Sequence, residues 1–450
     1  MAVVAPFRAL RYNLDKIAGM EQVVTPPYDV INASQQDGFY NADPHNIIRL
    51  ELNRKRDSDS AADNRYTRAA EHLQRWMQSG VLKRDEKPAF YVSRTTYQDP
   101  DGNERVRTGF FTLLRLEDFD AGVVLPHERT FTEHKEDRLA LIKKTRANIS
   151  PIFALFPDDQ NAVMGALQSA QAQAPDYDFI DPMGLRQQLH AVSDPAACAS
   201  VRKLMADKVI FIADGHHRYE TALNYRNHMR GQCPEAGLLA SFNYVMVYLC
   251  SMSDPGLTVF ACHRAVPRLD GFSAVDFMRH ARQDFDELII EAPGGLAANA
   301  PVLVEALAQA GRQRPSIGMA CHDSDKLHIL SLKPGAMDQE EGPDVFGPLR
   351  QLDVAVLTRM ILEKILGLDN NARDMAHLIS YNSDTRDTLA QVQSGQARVA
   401  FLLNPTKVEQ VKAVAEAGLI MPRKSTYFYP KALTGLTLNL VLPDEDIAAC

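Results

Sequence analysis

At 450 residues, with 45% hydrophobic and 24% charged side chains, the chain is long enough for two or three domains around a substantial core. A formal net charge of −8 argues against a duplex-DNA binder, which would carry a basic stripe to neutralise phosphates. The absence of a secretory pattern and of a bilayer-length apolar run predicts a cytoplasmic protein without membrane contact, and the six scattered cysteines lack a Cys-x-x-Cys pair and read as free thiols.

In chain order, Thr25-Pro26-Pro27-Tyr28-Asp29 forces extended backbone before a turn, because each proline fixes its own φ and restricts the residue before it. It reads either as a rigid connector or as a device that aims Tyr28 or Asp29 into a cleft. His45 to Leu52 alternates apolar and polar residues, which predicts a strand with Arg49 and Glu51 on one face. Residues 61–78 place Ala62, Tyr66, Ala69, Leu73 and Trp76 at helical spacing before Gly80, an amphipathic helix with a core-facing stripe. Phe90 to Tyr97 and Val106 to Leu116 flank Asp99-Pro100-Asp101-Gly102-Asn103, a hairpin signal. The segment 125–148 then reads as a polar loop leading into a helix.

Between residues 157 and 207, Ala/Gln-rich helical stretches alternate with short apolar ones. The run Val209 to Ala213 reads as a buried strand that ends in Asp214-Gly215-His216-His217-Arg218 and opens a helix. Backbone N–H groups in a first helical turn lack intrahelical partners and carry partial positive charge, so an anion is favoured there. Gly215 lets a ligand approach the backbone, and the planar fork of Arg218 matches two phosphate oxygens. Buried strands are expected at 242–249 and 257–262, and helices and strands alternate from residue 268. A helix is expected over 349–366, ended by Gly367. The strand 397–403 leads into Asn404-Pro405, which predicts a second strand-to-helix junction with Asn404 as N-cap.

The Gly215 to Arg218 turn resembles the Gly-x-x-Arg phosphate-binding turn of the ParB/sulfiredoxin superfamily, which contains nucleotide-binding partition proteins, sulfiredoxins and free serine kinases. Thr25 to Val30, His45 to Leu52, Leu125-Pro126-His127-Glu128-Arg129-Thr130, Asn148 to Phe153 and Met421 to Pro430 together look like a widespread prokaryotic family of unknown function, often labelled ParB-like. The resemblance implies a mixed α/β fold, with a ParB/sulfiredoxin-like nucleotide-binding core carrying large insertions and a carboxyl-terminal α/β region. The expected regions are 1–155 and 156–265, forming one core, followed by 266–450. His216 stands where sulfiredoxins have a cysteine, so their thiolate chemistry is rejected.

On this reading Asp214, Gly215, His216, His217 and Arg218 hold phosphates, with His127, Arg129 and Lys424 as further phosphate or substrate contacts. Glu51, Glu128 and Asp29 are the candidate catalytic carboxylates. His127-Glu128-Arg129 and Glu133-His134 do not form His-Glu-x-x-His, and Arg423-Lys424-Ser425-Thr426 lacks the upstream glycine of a Walker loop. A nucleotide-borne Mg²⁺ held by Asp214 and Asp29, with ATP, ADP or CTP, is therefore expected in preference to a resident metal. The leading function is phosphoryl transfer from a nucleotide to a small hydroxyl compound, with L-serine as first acceptor. The alternatives are a ParB-like nucleotide-binding regulatory protein and a phosphatase or nucleotide hydrolase.

Overall fold

The β-branched and aromatic run after residue 89 folds as a hairpin with residues 104–115, and the longest sheet grows around it. The computed structural model describes residues 1–100, 102–130, 132–167, 174–340, 346–368 and 378–447, without the side chains of 132–134 and 339. The hairpin residue Asp101 and the side chains of Glu133 and His134 lie outside the described residues. The fold is mixed α/β and divides into two units. The first comprises Met1–Pro126, Thr130–Leu257 and Pro430–Cys450; the second comprises His127–Arg129 and Thr258–Tyr429.

In the first unit, the described strands of the main sheet begin with β1 (Val4–Ala5), β2 (Phe90–Gln98), β3 (Glu104–Arg115) and β4 (Val124–Leu125). They continue with β5 (Ile152–Phe156), β6 (Tyr177–Ile180), β7 (Arg186–Val192), β8 (Ile210–Asp214) and β9 (Tyr244–Ser251). The order is β4-β8-β5-β9-β3-β2-β7-β6, with β1 added to β3. Only β4–β8 and β5–β9 run parallel, so the sheet is mainly antiparallel. Every residue of β9 is buried, which requires cover on both faces. On one face Val245, Val247 and Leu249 pack with Phe110, Phe156, Ile210, Ile212 and the helix residues Cys198 and Val201.

The helices that matter to the site are α1 (Ile48–Glu51), α2 (Arg65–Gln78), α3 (Thr132–Thr145) and α4 (His216–Gln232). The first is a correction, because residues 45–52 were expected to form a strand. Asp43 Oδ1 accepts the His45 N–H at 2.6 Å and Asn46 Oδ1 accepts the Ile48 N–H at 2.9 Å, so side chains start a helical turn here. Ile47, Ile48 and Leu50 are then all fully buried, which an alternating strand with one wet face would not allow. Successive helical residues are roughly 100° apart, so Arg49 and Glu51 diverge instead of sharing a face. A second difference lies at 186–192, where a polar-rich segment forms β7 by pairing along all of its length with β2.

The second unit has its own six-stranded antiparallel sheet: β10 (His263–Val266), β11 (Phe285–Glu291), β12 (Ser316–Cys321), β13 (Lys326–Leu332), β14 (Ser380–Asn382) and β15 (Val399–Leu403). Their order is β11-β13-β12-β15-β10-β14, and a core of Leu303, Leu307, Leu327, Leu389, Val392 and Leu402 covers one face. The single helix expected over 349–366 is instead a 3-10 turn at Gly347–Gln351, an α-turn at Asp353–Val356 and a π-helical segment at Leu357–Glu363. Asp353 explains the break: its carboxylate takes the Ser316 N–H at 3.1 Å and the Asn404 amide at 2.8 Å, fixing a new helix start. Asn404 does not cap the following helix, which starts three residues beyond Pro405, at Val408. The segment expected as a buried strand near 260 is half-buried and pairs as Thr258–Phe260 with Tyr427–Tyr429. Among the described residues, no helix is long and apolar enough to cross a membrane.

Candidate functional site

The end of β8 is shaped by a break in register between Ile212 and Asp214 against β5, after which Gly215 takes φ +94 and α4 begins. A side chain at 215 would be strained at that φ, and its Cβ would sit 2.9 Å from Arg218 Nε. Glycine therefore allows the Arg218 side chain to fold back across the turn that precedes it. There the guanidinium donates to Asp214 Oδ2 at 2.9 Å and to the carbonyl oxygen of Pro151. Lys431 Nζ donates to the other Asp214 oxygen at 3.3 Å. His216 is buried and His217 half-buried on the first turn.

Facing this turn across one small cavity is a second buried arginine. Arg138, on α3, donates to Glu51 Oε1 at 3.2 Å and to the Glu51 carbonyl at 2.9 Å. Its Nε donates to Asp137 Oδ2 at 2.8 Å, and its guanidinium lies 4.2 Å from the centroid of the Tyr28 ring. Ser150 Oγ donates to the same Glu51 oxygen at 2.8 Å. Glu51, Arg138, Ser150 and Arg218 all line the cavity, which has a volume of about 50 Å³. The loop between α3 and β5 is thus pinned residue by residue: Asn148 Oδ1 by the Met246 N–H and the Asn439 amide, Ser150 by Glu51, Pro151 by Arg218.

Burial alone would weaken the protonated form of both arginines, but carboxylates win. Glu51 and Asp137 raise Arg138 above its ordinary value, and Asp214, Asp29, Tyr28 and Glu51 do the same for Arg218. Both groups are therefore permanent cations held out of water, where an anion's interaction with them is least screened. The Tyr28 hydroxyl is pushed up to about 12 by burial, with Arg138 and Arg218 opposing, so it stays protonated and can donate. Asp29, in the adjoining turn Tyr28–Val30, is exposed.

Of the residues expected from sequence, Asp29, Glu51, Asp214, Gly215, His216, His217 and Arg218 belong to the first unit. His127, Glu128, Arg129 and Lys424 belong to the second, where residue 128 bridges to Met421 and Lys424 donates its N–H to Glu128 Oε1 at 3.4 Å. His127 Nε2 lies 3.2 Å from Thr426 Oγ1, and Arg129 is exposed. Among the described residues, no cluster of three His, Cys, Asp or Glu side chains could hold a metal ion. Sequence reasoning missed Arg138, Ser150 and Lys431. For Ser150 the proline at 151 was the available signal, since it holds the preceding residue extended beside the strand entry.

The chain matches the model of a protein family of unknown function, DUF1015, over residues 4–355. The chain belongs to this family. No curated protein matches it. Among solved structures, a free serine kinase in complex with AMP is 13% identical, with 71% of this chain and 86% of that one covered at a TM-score of 0.34. A conserved hypothetical protein from Pyrococcus furiosus is also 13% identical, covering 74% and 95% at 0.34. SbnI with a carboxyl-terminal truncation, from Staphylococcus aureus, is 12% identical, covering 74% and 91% at 0.36.

Proposed function

We propose that this DUF1015 protein is a nucleotide-dependent phosphotransferase acting on a small hydroxyl compound, built on a ParB/sulfiredoxin-like core. The observation that carries the reading is the meeting of Glu51, Ser150, Arg138 and Arg218 around one cavity at the amino terminus of α4. Buried guanidinium groups and first-turn amides are the donors that a transferring phosphoryl group requires, because its transition state spreads charge over the equatorial oxygens. The resemblance of the Gly215 to Arg218 turn to that of free serine kinases makes L-serine the first acceptor to try.

In this mechanism Gly215, His216, His217 and Arg218 hold the nucleotide phosphates, and Asp214 aims Arg218 and Lys431. Arg138 and Ser150 both bind Oε1 of Glu51, which leaves Oε2 for the acceptor's proton. The acceptor oxygen attacks the terminal phosphorus as its proton passes to Glu51, and the bond from phosphorus to the departing nucleotide oxygen breaks. Mg²⁺ arriving with the nucleotide would neutralise phosphate charge. Asp29, being exposed, fits such an ion, whereas each oxygen of Asp214 already binds a cation and does not fit.

The test is a phosphorus NMR time course with Mg²⁺ and ATP, ADP or CTP, with and without L-serine. A new phosphomonoester that depends on serine, lost in Glu51→Gln, is the expected result. Release of free phosphate alone would replace transfer by hydrolysis, and unchanged nucleotide throughout would refute the enzyme reading. In parallel, Arg218→Ala should abolish nucleotide binding in calorimetry while circular dichroism stays unchanged.

A further inference from the structure

Away from α4, the first unit has a second concave site, an open groove of about 600 Å³ lined by Pro44, His45, Arg49, His72, Arg75 and Trp76. Its basic groups come from two elements. Arg49 sits on α1, while His72 and Arg75 project from α2 beside Trp76. Among the described residues neither Arg49 nor Arg75 forms an ion pair with a carboxylate. Arg49 donates to the carbonyls of Asp43 at 2.9 Å and Tyr40 at 2.8 Å, which fixes its position without cancelling its charge. Arg75 is exposed, and its Nη2 lies 3.2 Å from His72 Nδ1. That bond makes Nδ1 the acceptor and leaves the ring proton of His72 on Nε2, a further donor.

The carboxylates nearby are few. Asp43 sits 3.3 Å from His45 Nδ1, and Glu71 is exposed one turn before Arg75. His72 registers the resulting positive field: burial first, then Arg75, Arg49, Arg56 and Arg68, push it down to about 4. The apolar wall is Trp76, 4% exposed, with the rings of His45 and His72 at 5.7 and 5.9 Å from its own. Two arginines, two imidazoles and an indole edge form a recognition surface for an anion with several charged oxygens, because guanidinium forks only donate and the His72 ring adds a further N–H.

We propose that this groove is a binding site for a small polyanionic metabolite, bearing carboxylate or phosphate groups, that is separate from the site at α4. Trp76 is the sole tryptophan of the chain, so the protein carries its own reporter at the groove. The experiment titrates the full chain with inorganic phosphate and, separately, with citrate at constant ionic strength, following Trp76 fluorescence and calorimetry together. A saturable response is expected from at least one probe, about tenfold weaker in Arg75→Gln, since one charge-assisted donor is lost. Phosphate alone saturating would define a phosphorylated ligand, and citrate alone a carboxylate one. Absence of saturable binding with both probes would overturn the proposal. So would saturable binding that Arg75→Gln and His72→Gln leave unchanged, because the anion would then sit elsewhere. Arg75 is exposed, and among the described residues its side chain donates only to His72, so its variant should keep the wild-type melting temperature, and a shared loss of fold is readily detected.

Discussion

Removing Arg138 should destabilise the first unit far more than removing its partner Glu51, although the two share one ion pair. The asymmetry follows from what each deletion leaves behind. Arg138→Gln strands the Glu51 carboxylate, 2% exposed, with the Ser150 hydroxyl as its remaining side-chain donor. Breaking a buried pair in this way costs up to about 3–5 kcal/mol, since the charge stays out of water with only the more distant Arg218 cation to offset it among the described residues. Glu51→Gln instead leaves a guanidinium that still has Asp137, the residue-51 carbonyl and the face of Tyr28. Its cost should be nearer that of a hydrogen bond to a charged group, about 1.5–3 kcal/mol. At about 2–4 °C per kcal/mol for a unit of this size, the two variants should melt several degrees apart. Thermal melts of both singles and the double variant, followed by circular dichroism at constant pH, read the ranking and the coupling directly. Equal midpoints, or a lower midpoint for Glu51→Gln, would refute the claim that Asp137 and Tyr28 back up the arginine. The same ranking makes Glu51→Gln the fair test of a catalytic base, because it disturbs the chemistry more than the fold.

Gly215→Ala should lower stability by about 1–2 kcal/mol from backbone strain at φ +94, and should also weaken nucleotide binding by displacing Arg218 from Asp214. Calorimetry showing unaltered affinity would remove Arg218 from the phosphate site. Asp254 gives a pH signature: burial pushes its carboxyl from the ordinary 3.8 up to about 6, against the N–H groups of Gly256 and Thr108. A raised folded value means its contribution is complete below about pH 4 and is lost as pH rises through 6. Relative to Asp254→Asn, the wild-type melting temperature should therefore fall between pH 4 and 7, and a constant difference across that window would contradict the assignment.

Local chemistry made part of this legible in advance. The hairpin declared itself through β-branched and aromatic residues around a Pro/Gly turn, and the β8–α4 junction through a buried run ending in Asp-Gly. Both depend on neighbours within a few residues. Glu51 was expected on a strand and lies on a helical turn, because alternation over so short a span cannot distinguish a strand from one buried helical turn that Asn46 Oδ1 helps to start. Arg138 was invisible because the reason for its burial, Glu51, lies 87 positions away. Lys431 was missed for the same reason, 217 residues from Asp214. Asn404 carried an N-cap signal, but its amide nitrogen binds Asp353 and the helix starts later, at Val408.

The closing segment of the first unit has a consequence for how the protein is made. Residues from Pro430 onward return to the first unit, where Asn439–Leu440 pairs with Ala147–Asn148 and Lys431 reaches Asp214. Units that complete themselves early can fold in order as the chain is synthesised. Here the loop that holds Ser150 and Pro151 gains its last partner only after the whole second unit has been translated. Until then Asp214 lacks Lys431 and Asn148 lacks Asn439, so the set of contacts that fixes Ser150 and Arg218 is incomplete while the second unit is being made.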